Sequence, residues 1–295
     1  MATSENLASL RTTRTRRITL PTRLAWGFAH LLLIVLGIFM VFPFVWTIGN
    51  SLKLPGEIFV WPPTLYPEHP RPQNYLDLFR TVPFFLWLRN SVIVTVAATI
   101  GALLSSTLAG YAFARLRYPG RDVFFTICLS TLMLPSIVTL IPSFILYRNL
   151  GWIDTFLPLI VPSWLGTAFY IFLSRQHFRT IPRDYEEAAR VDGASSWRIW
   201  WTIMLPMSQT LVGAIVIFSF IAHWNEFIGP LIYLNSVENQ TLAVGLRSLQ
   251  NLYNTRWDFI MAGSALMTLP LIVIFLLAQR FFIEGMSSFS GLSGR

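Results

Sequence analysis

Residues 186–206 read EEAARVDGASSWRIWWTIMLP, the most charged long stretch in a chain otherwise dominated by Leu, Ile, Val and Phe. It lies between two apolar runs, each long enough to cross a bilayer as a helix, so whatever reads it lies outside the lipid. Pro182 suits the first turn of a helix, RDYEEAARV continues it, and Asp192-Gly193 reads as a stop and turn. Ser195 or Ser196 then caps a second short helix through WRIWWTIM, and Pro206 precedes the next apolar run. The expected unit is a helix–turn–helix that projects from the membrane like a plug. Within it Glu186 and Arg190 are spaced to pair, for a few tenths of a kcal/mol. Ala188 and Ala189 let another surface approach the backbone. Trp197, Trp200 and Trp201 form a cluster that suits the lipid interface better than a partner anchor.

Composition extends that reading to the whole chain. Hydrophobic residues make up 54% and charged residues 12%, with mean hydropathy +0.56, whereas soluble domains carry about 25% charged residues. The chain is expected to be an all-α integral membrane protein. Six apolar runs, 24–46, 88–113, 123–147, 155–174, 211–234 and 259–282, each approach or exceed the roughly 20 residues a spanning helix needs. The organisation expected is a cytoplasmic segment 1–23, a six-span domain 24–282 with its loop at 181–206, and a cytoplasmic tail 283–295.

The net charge of +8 follows from topology rather than from nucleic-acid binding. With the N-terminus inside, fifteen of the 22 Lys and Arg residues fall in inner segments, as the positive-inside rule requires. Both termini are then cytoplasmic. The first apolar run is longer than a signal-peptide core and ends in FPFVWTIGN without a small-residue cleavage site, so it is read as a retained span. The Thr/Arg/Ser-rich first twenty residues are expected to lack structure.

Outside, 49–87 is too rich in proline for a regular helix until about Gln73; it is either a packed cap or a docking surface for an external partner. The segment 235–258 has room for a short amphipathic helix. Prolines 43, 135, 142, 158, 162, 230 and 270 punctuate the apolar runs and mark kinks, either static or able to repack. One run carries a polar cluster, AHWNEFIGPL, with His223, Trp224, Asn225 and Glu226. Polar groups at that depth are costly and face other helices or water. They either line or gate a path for a polar solute, with Trp224 as a stacking platform, or form an interhelical clasp.

No catalytic, metal-binding or cofactor-binding residue is expected. The single lysine, Lys53, is preceded by Leu, so the chain has no phosphate-binding loop. The histidines lack metal-ligand spacing, and Cys128 has no cysteine partner. A self-sufficient secondary carrier would want paired midplane carboxylates or inverted repeats, and only Glu226 is present.

Glu187-Ala188-Ala189, three residues, Gly193, nine residues, Ile203, one residue, Leu205-Pro206 matches the EAA loop of ABC importer permeases at every position. YAFARLRYPGR, IPRDYEEAARVDGAS, WNEFIGPLIYL and QRFFIEG extend the likeness over most of 25–285, and together resemble the carbohydrate-uptake class, in particular its maltose-type second permease. The resemblance implies a loop that docks as a coupling helix on a separate ATPase subunit. It further implies a complex with a second homologous permease, two ATPase subunits that bind the ATP, and an extracytoplasmic binding protein that delivers a sugar or oligosaccharide. Such a complex belongs in a bacterial or archaeal inner membrane. A non-sugar solute such as glycerol phosphate or a polyamine is the alternative. The tail, MSSFSGLSGR, departs from the family's usual lysine-glycine end, with Arg295 in the lysine's place.

Overall fold

The computed structural model describes residues 20–250 and 255–292, and among these every regular element is helical. The expected disorder of the first residues and the role of Arg295 lie outside that range. In chain order the helices are α1 (Leu20–Ser51), α2 (Gln73–Thr81), α3 (Phe84–Arg115), α4 (Arg121–Ser130), α5 (Ser136–Asn149), α6 (Leu157–Trp164), α7 (Ala168–Thr180), α8 (Asp184–Val191), α9 (Ser196–Ile199), α10 (Gln209–Trp224), α11 (Ile228–Tyr233), α12 (Leu242–Ser248) and α13 (Trp257–Leu292).

Five segments are long and apolar enough to cross a bilayer: Trp26–Ser51, Phe84–Arg115, Leu157–Thr180, Pro206–Trp224 and Trp257–Leu277. The run expected at 123–147 differs. It forms two helices that meet at 101°, because Pro135 ends the first by forcing Leu134 into extended backbone. The run at 155–174 breaks too, at Gly166 with φ +94° rather than at its prolines. Pro158 sits in the first turn of α6, where its missing N–H costs nothing. The run at 211–234 ends at Trp224, and α11 follows as a separate short helix.

Helix α3 is the central post, packed on α6, α7 and α10, while α13 packs on α10 and α1. Close approach is built into the sequence: a Cβ at Gly110 would lie 2.3 Å from the Ser174 Cβ, so only glycine lets α3 and α7 meet there. Polar side chains stitch α3 to α6 and to the turn before α7. Ser105 donates to the Ser163 carbonyl at 3.1 Å, the Thr167 amide donates to Ser106 Oγ at 3.1 Å, and Trp164 donates to the Ala97 carbonyl at 3.1 Å. By contrast α1 and α5 bury almost nothing, as suits helices facing lipid or another subunit.

The segment after α1 is pinned back at a few points, while Phe59, Trp61 and Tyr66 stay exposed. Asn74 donates to the Ser51 and Lys53 carbonyls, and Lys53 donates to the Thr64 carbonyl at 2.5 Å. Its helix α2 begins at Gln73, where the proline run stops. The expected amphipathic helix in 235–258 is α12, whose Leu242 and Leu246 are buried beside Trp87 and Phe259.

Candidate functional site

Helix α8 begins two residues after Pro182, with Asp184, Glu186 and Glu187 in its first turn and Arg190 in its last, the charge order a helix dipole favours. It ends in a Schellman turn: the Gly193 amide donates to the Arg190 carbonyl at 3.0 Å and the Ala194 amide to the Ala189 carbonyl at 2.9 Å. That turn needs positive φ, and Gly193 has +78°. Ser195 caps α9, its Oγ accepting from the Arg198 amide at 3.3 Å.

Residues 200–204 then widen into a π-turn, with the Leu205 amide reaching back to the Trp200 carbonyl at 2.9 Å. Pro206 has no N–H to continue an α-helical ladder and would crowd the carbonyl four residues back, which accounts for the wider turn. The chain runs on through Pro206–Ser208 into α10. Ile203 and Leu205 are half-buried against the surrounding core, and Pro206 is exposed. The second helix of the expected pair is thus α9 run on into the π-turn, set off from α10 by Pro206–Ser208, where Ser208 leaves helical backbone at φ −110° and ψ 38°.

The two faces of α8 differ sharply. Asp184, Glu187, Ala188 and Val191 point outward, with Val191 89% exposed. Glu186 and Ala189 point inward. Ala189 joins a core of Tyr111, Phe178, Ile181, Ile199, Trp200 and Met204, which ties α8 to α3, α7 and α10. Of the alanine pair, only Ala188 is open to another surface.

Glu186 carries more than the expected surface pair. Its Oε1 lies 2.9 Å from Arg115 Nε at the end of α3, with both side chains under 10% exposed, and Arg190 stands 3.8 Å from its other oxygen. Arg115 also donates to the carbonyls of Phe178 and Ile181 at the end of α7. One guanidinium thus binds three helices. Composition and spacing around Glu186 suggested only the i, i+4 pair; the signal for the deeper one is that Glu186 shares the inward face with Ala189. A cleft of about 660 Å³ opens beside this joint, lined by Arg117, Arg183, Glu187, Arg190 and Ser196 among others.

The tryptophan expectation needs correcting. Trp197 and Trp201 are exposed, but Trp200 is 1% exposed, wedged between them in the core. The π-turn rotates Ile199, Trp200 and Met204 inward together, and a large ring fills the space beneath α8.

The polar cluster lies at the opposite end of α10. Trp224 is buried, stacked on Phe220 and donating to the Met267 carbonyl at 3.0 Å, so its ring offers no open face for stacking a solute in this conformation. His223 Nε2 is 3.2 Å from Ser163 Oγ. Asn225 donates to the Ile221 carbonyl at 2.9 Å, and Glu226 Oε1 accepts from the Gly229 amide at 2.9 Å; both are exposed. Nearby, Asp154 forms a clasp that the sequence did not announce. Its Oδ1 accepts from the Asn235 amide at 2.9 Å, the Ser236 amide at 3.0 Å and the Ser236 hydroxyl at 2.9 Å. The Ser236 amide foremost, opposed by partial burial and joined by the other donors, holds this carboxyl below the usual carboxylate range. Among the described residues no group of His, Cys, Asp and Glu is placed to hold a metal ion.

A family model described as binding-protein-dependent transport system inner membrane component matches residues 102–288. The sn-glycerol-3-phosphate transport system permease protein UgpE of Yersinia pestis bv. Antiqua (strain Antiqua) is 34% identical over 268 residues, covering 88% of this chain and 95% of that protein. The protein of the same name from Brucella abortus (strain 2308) is 34% identical over 266 residues, covering 87% and 94%. Among solved structures, a chain of a bacterial ABC transporter involved in the import of the acidic polysaccharide alginate matches with TM-score 0.79 at 23% identity, over 90% of this chain and 98% of that one. A chain of the alginate transporter bound to its pentasaccharide-loaded periplasmic protein matches with TM-score 0.63 at 17% identity, over 88% and 94%. With a family model spanning more than half its length and relatives matched nearly end to end, the chain belongs to the binding-protein-dependent ABC transport permeases of the inner membrane.

Proposed function

We propose that this permease takes its driving motion through α8. The outward stripe Asp184, Glu187, Ala188 and Val191 docks on a separate ATPase subunit, and the inward stripe carries the displacement into the spans. The observation that carries this is the Arg115–Glu186 joint, which couples α8 to the ends of α3 and α7 with side chains 4% and 7% exposed. A close-packed joint of this kind transmits a push rather than absorbing it. Gly193 sets the angle between the helices, and the π-turn through Ile203 and Leu205 to Pro206 passes the motion into α10. The whole loop then faces the cytoplasm with both termini, and the bent pair α4–α5 counts as the sixth span.

A second homologous permease and a second ATPase subunit complete the pathway, and an extracytoplasmic binding protein docks on the opposite loops. The subunit itself performs no chemistry. Of the polar cluster, exposed Asn225 and Glu226 face the solute path, while His223 and Trp224 hold the end of α10 in place. Alternating access needs two packings of the spans whose balance ATP shifts.

The solute class is carbohydrate or a small polyol ester. A sugar or oligosaccharide is the reading from the sequence, and sn-glycerol-3-phosphate is favoured by the names of the relatives at 34% identity. ATP hydrolysis by the reconstituted transporter, with its binding protein and a panel of sugars, alginate oligomers and glycerol phosphate, separates them. The expected result is stimulation by one class in the wild type and its loss in Glu187→Lys with the complex intact. Solute movement by this chain with no ATPase present contradicts the proposal.

A further inference from the structure

The turn between α3 and α4 concentrates positive charge at the edge of an apolar wall. A cleft of about 480 Å³ there is lined by Arg117, Tyr118, Gly120, Arg121, Asp122 and Val123. Arg175 of α7 approaches from the side, its guanidinium 4.1 Å from the Phe125 ring centroid and its Nη2 3.4 Å from Asp122 Oδ1. Arg179, one turn further on, lies within electrostatic reach of the same carboxylate. Arg121, Arg175 and Arg179 thus act on one carboxylate, and Arg117 lines the same cleft. Asp122 is held by Arg121 Nε and Nη2 at 3.1 Å each, but a single carboxylate cannot neutralise Arg117, Arg121, Arg175 and Arg179 together, so the group as a whole keeps a surplus of positive charge. The surplus positive charge is not matched by any other acid lining the cleft.

Immediately below the cleft, α4 shows lipid-like contact surface instead of water-facing residues: Val123, Phe124 and Ile127 are 63%, 58% and 56% exposed. A soluble anion has no use for that wall, and a neutral lipid has no use for the arginines. Basic pockets between spans at the membrane boundary suit anionic headgroups, at about 1 kcal/mol for each basic side chain near the surface. We infer that this cleft binds an anionic phospholipid, its phosphate among Arg117, Arg121 and Arg175 and its acyl chains along Val123, Phe124 and Ile127. The inference needs only that the chain spans a membrane; it stands or falls separately from the docking role of α8.

The site also has a mechanical consequence. Arg175 lies one turn before Phe178, whose carbonyl Arg115 holds, so a lipid bound here braces the same end of α7 that anchors α8. The test is native mass spectrometry of the complete transporter, purified after equilibration in vesicles of equal phosphatidylglycerol and phosphatidylcholine. Wild type is expected to retain phosphatidylglycerol preferentially. Arg117→Gln/Arg121→Gln should lower that retention by at least about fivefold, Arg121→Lys should keep it, and Arg148→Gln at the far end of α5 should not affect it. Phe124→Ser, which leaves every cation in place, should also lose lipid, and millimolar inorganic phosphate should not displace it. Equal retention in wild type and the double variant overturns the site, as does a complete transporter that carries no lipid there because a protein partner covers α4. Displacement by phosphate with Phe124→Ser unaffected overturns it in favour of a soluble anion.

Discussion

At the scale of single residues, Glu186 and Glu187 are adjacent carboxylates with opposite duties. Glu186 is buried against Arg115, and removing one partner of a buried pair strands the other. Glu186→Ala is therefore expected to destabilise the protein by about 3 kcal/mol, read as a lowered thermal midpoint in detergent, while exposed Glu187→Ala shifts stability by no more than about 0.5 kcal/mol and acts on coupled ATP hydrolysis. If the two substitutions destabilise equally, the division of roles is wrong. At Gly193 nothing crowds an added Cβ, so Gly193→Ala costs only the positive φ, about 1 kcal/mol, and Gly193→Asn, which tolerates that region, should recover part of it.

Asp154 gives a pH dependence with a definite sign. Its carboxyl is held below its unfolded value, so the clasp's stability is complete above about pH 4 and is lost as pH falls through the lower folded value. Protection of the Asn235 and Ser236 amides against hydrogen exchange, taken relative to the intrinsic rate at each pH, should fall on acidification in the wild type. In Asp154→Asn that protection should be low at neutral pH already and change little with acid. The motif residues of α8 were legible because helix signals, a turn dipeptide and a fixed spacing coincide there. Arg115–Glu186 and Asp154–Ser236 were not, since each joins residues about 70 to 80 positions apart and no local periodicity records such a pairing.

Among the elements, the spans were legible as apolar runs, but their breaks were not. Hydropathy counts side chains and is blind to backbone φ, so the turn at Gly166 and the 101° bend after Met133 both passed as continuous helix. Proline was an uneven guide: Pro135 ends α4's extension, whereas Pro43, Pro142 and Pro270 lie inside helices. The contact of α3 with α7 shows the constraint that replaces hydropathy inside a bundle, since apolar residues gain little from leaving lipid and close approach decides the packing instead. Gly110→Ala drives a methyl to 2.3 Å from the Ser174 Cβ and should cost about 1–3 kcal/mol. Adding Ser174→Gly should relieve only part of it, because the Arg175 amide and the Ile171 carbonyl, 3.0 and 3.1 Å away, are backbone. Thermal midpoints of the two single variants and the double variant measure the coupling.

For the molecule as a whole, α1 and α5 leave most of their apolar surface uncovered among the described residues, α1 touching mainly α13, the mark of a subunit completed by lipid and by other proteins. Which face meets which partner is then the central question, and the proposed answer rests on arginine placement and one motif. The most direct measurement is disulfide cross-linking in the intact transporter, after Cys128→Ser removes the only native cysteine. Cysteines are placed at Val191, on the tip of α8, and at Val237, in the loop before α12, 89% and 51% exposed respectively. Val191→Cys is expected to cross-link to a cysteine on the ATPase subunit and never to the binding protein, with Val237→Cys giving the reverse. Capture of the binding protein by Val191→Cys, or of the ATPase by Val237→Cys, contradicts both the orientation and the docking role of α8.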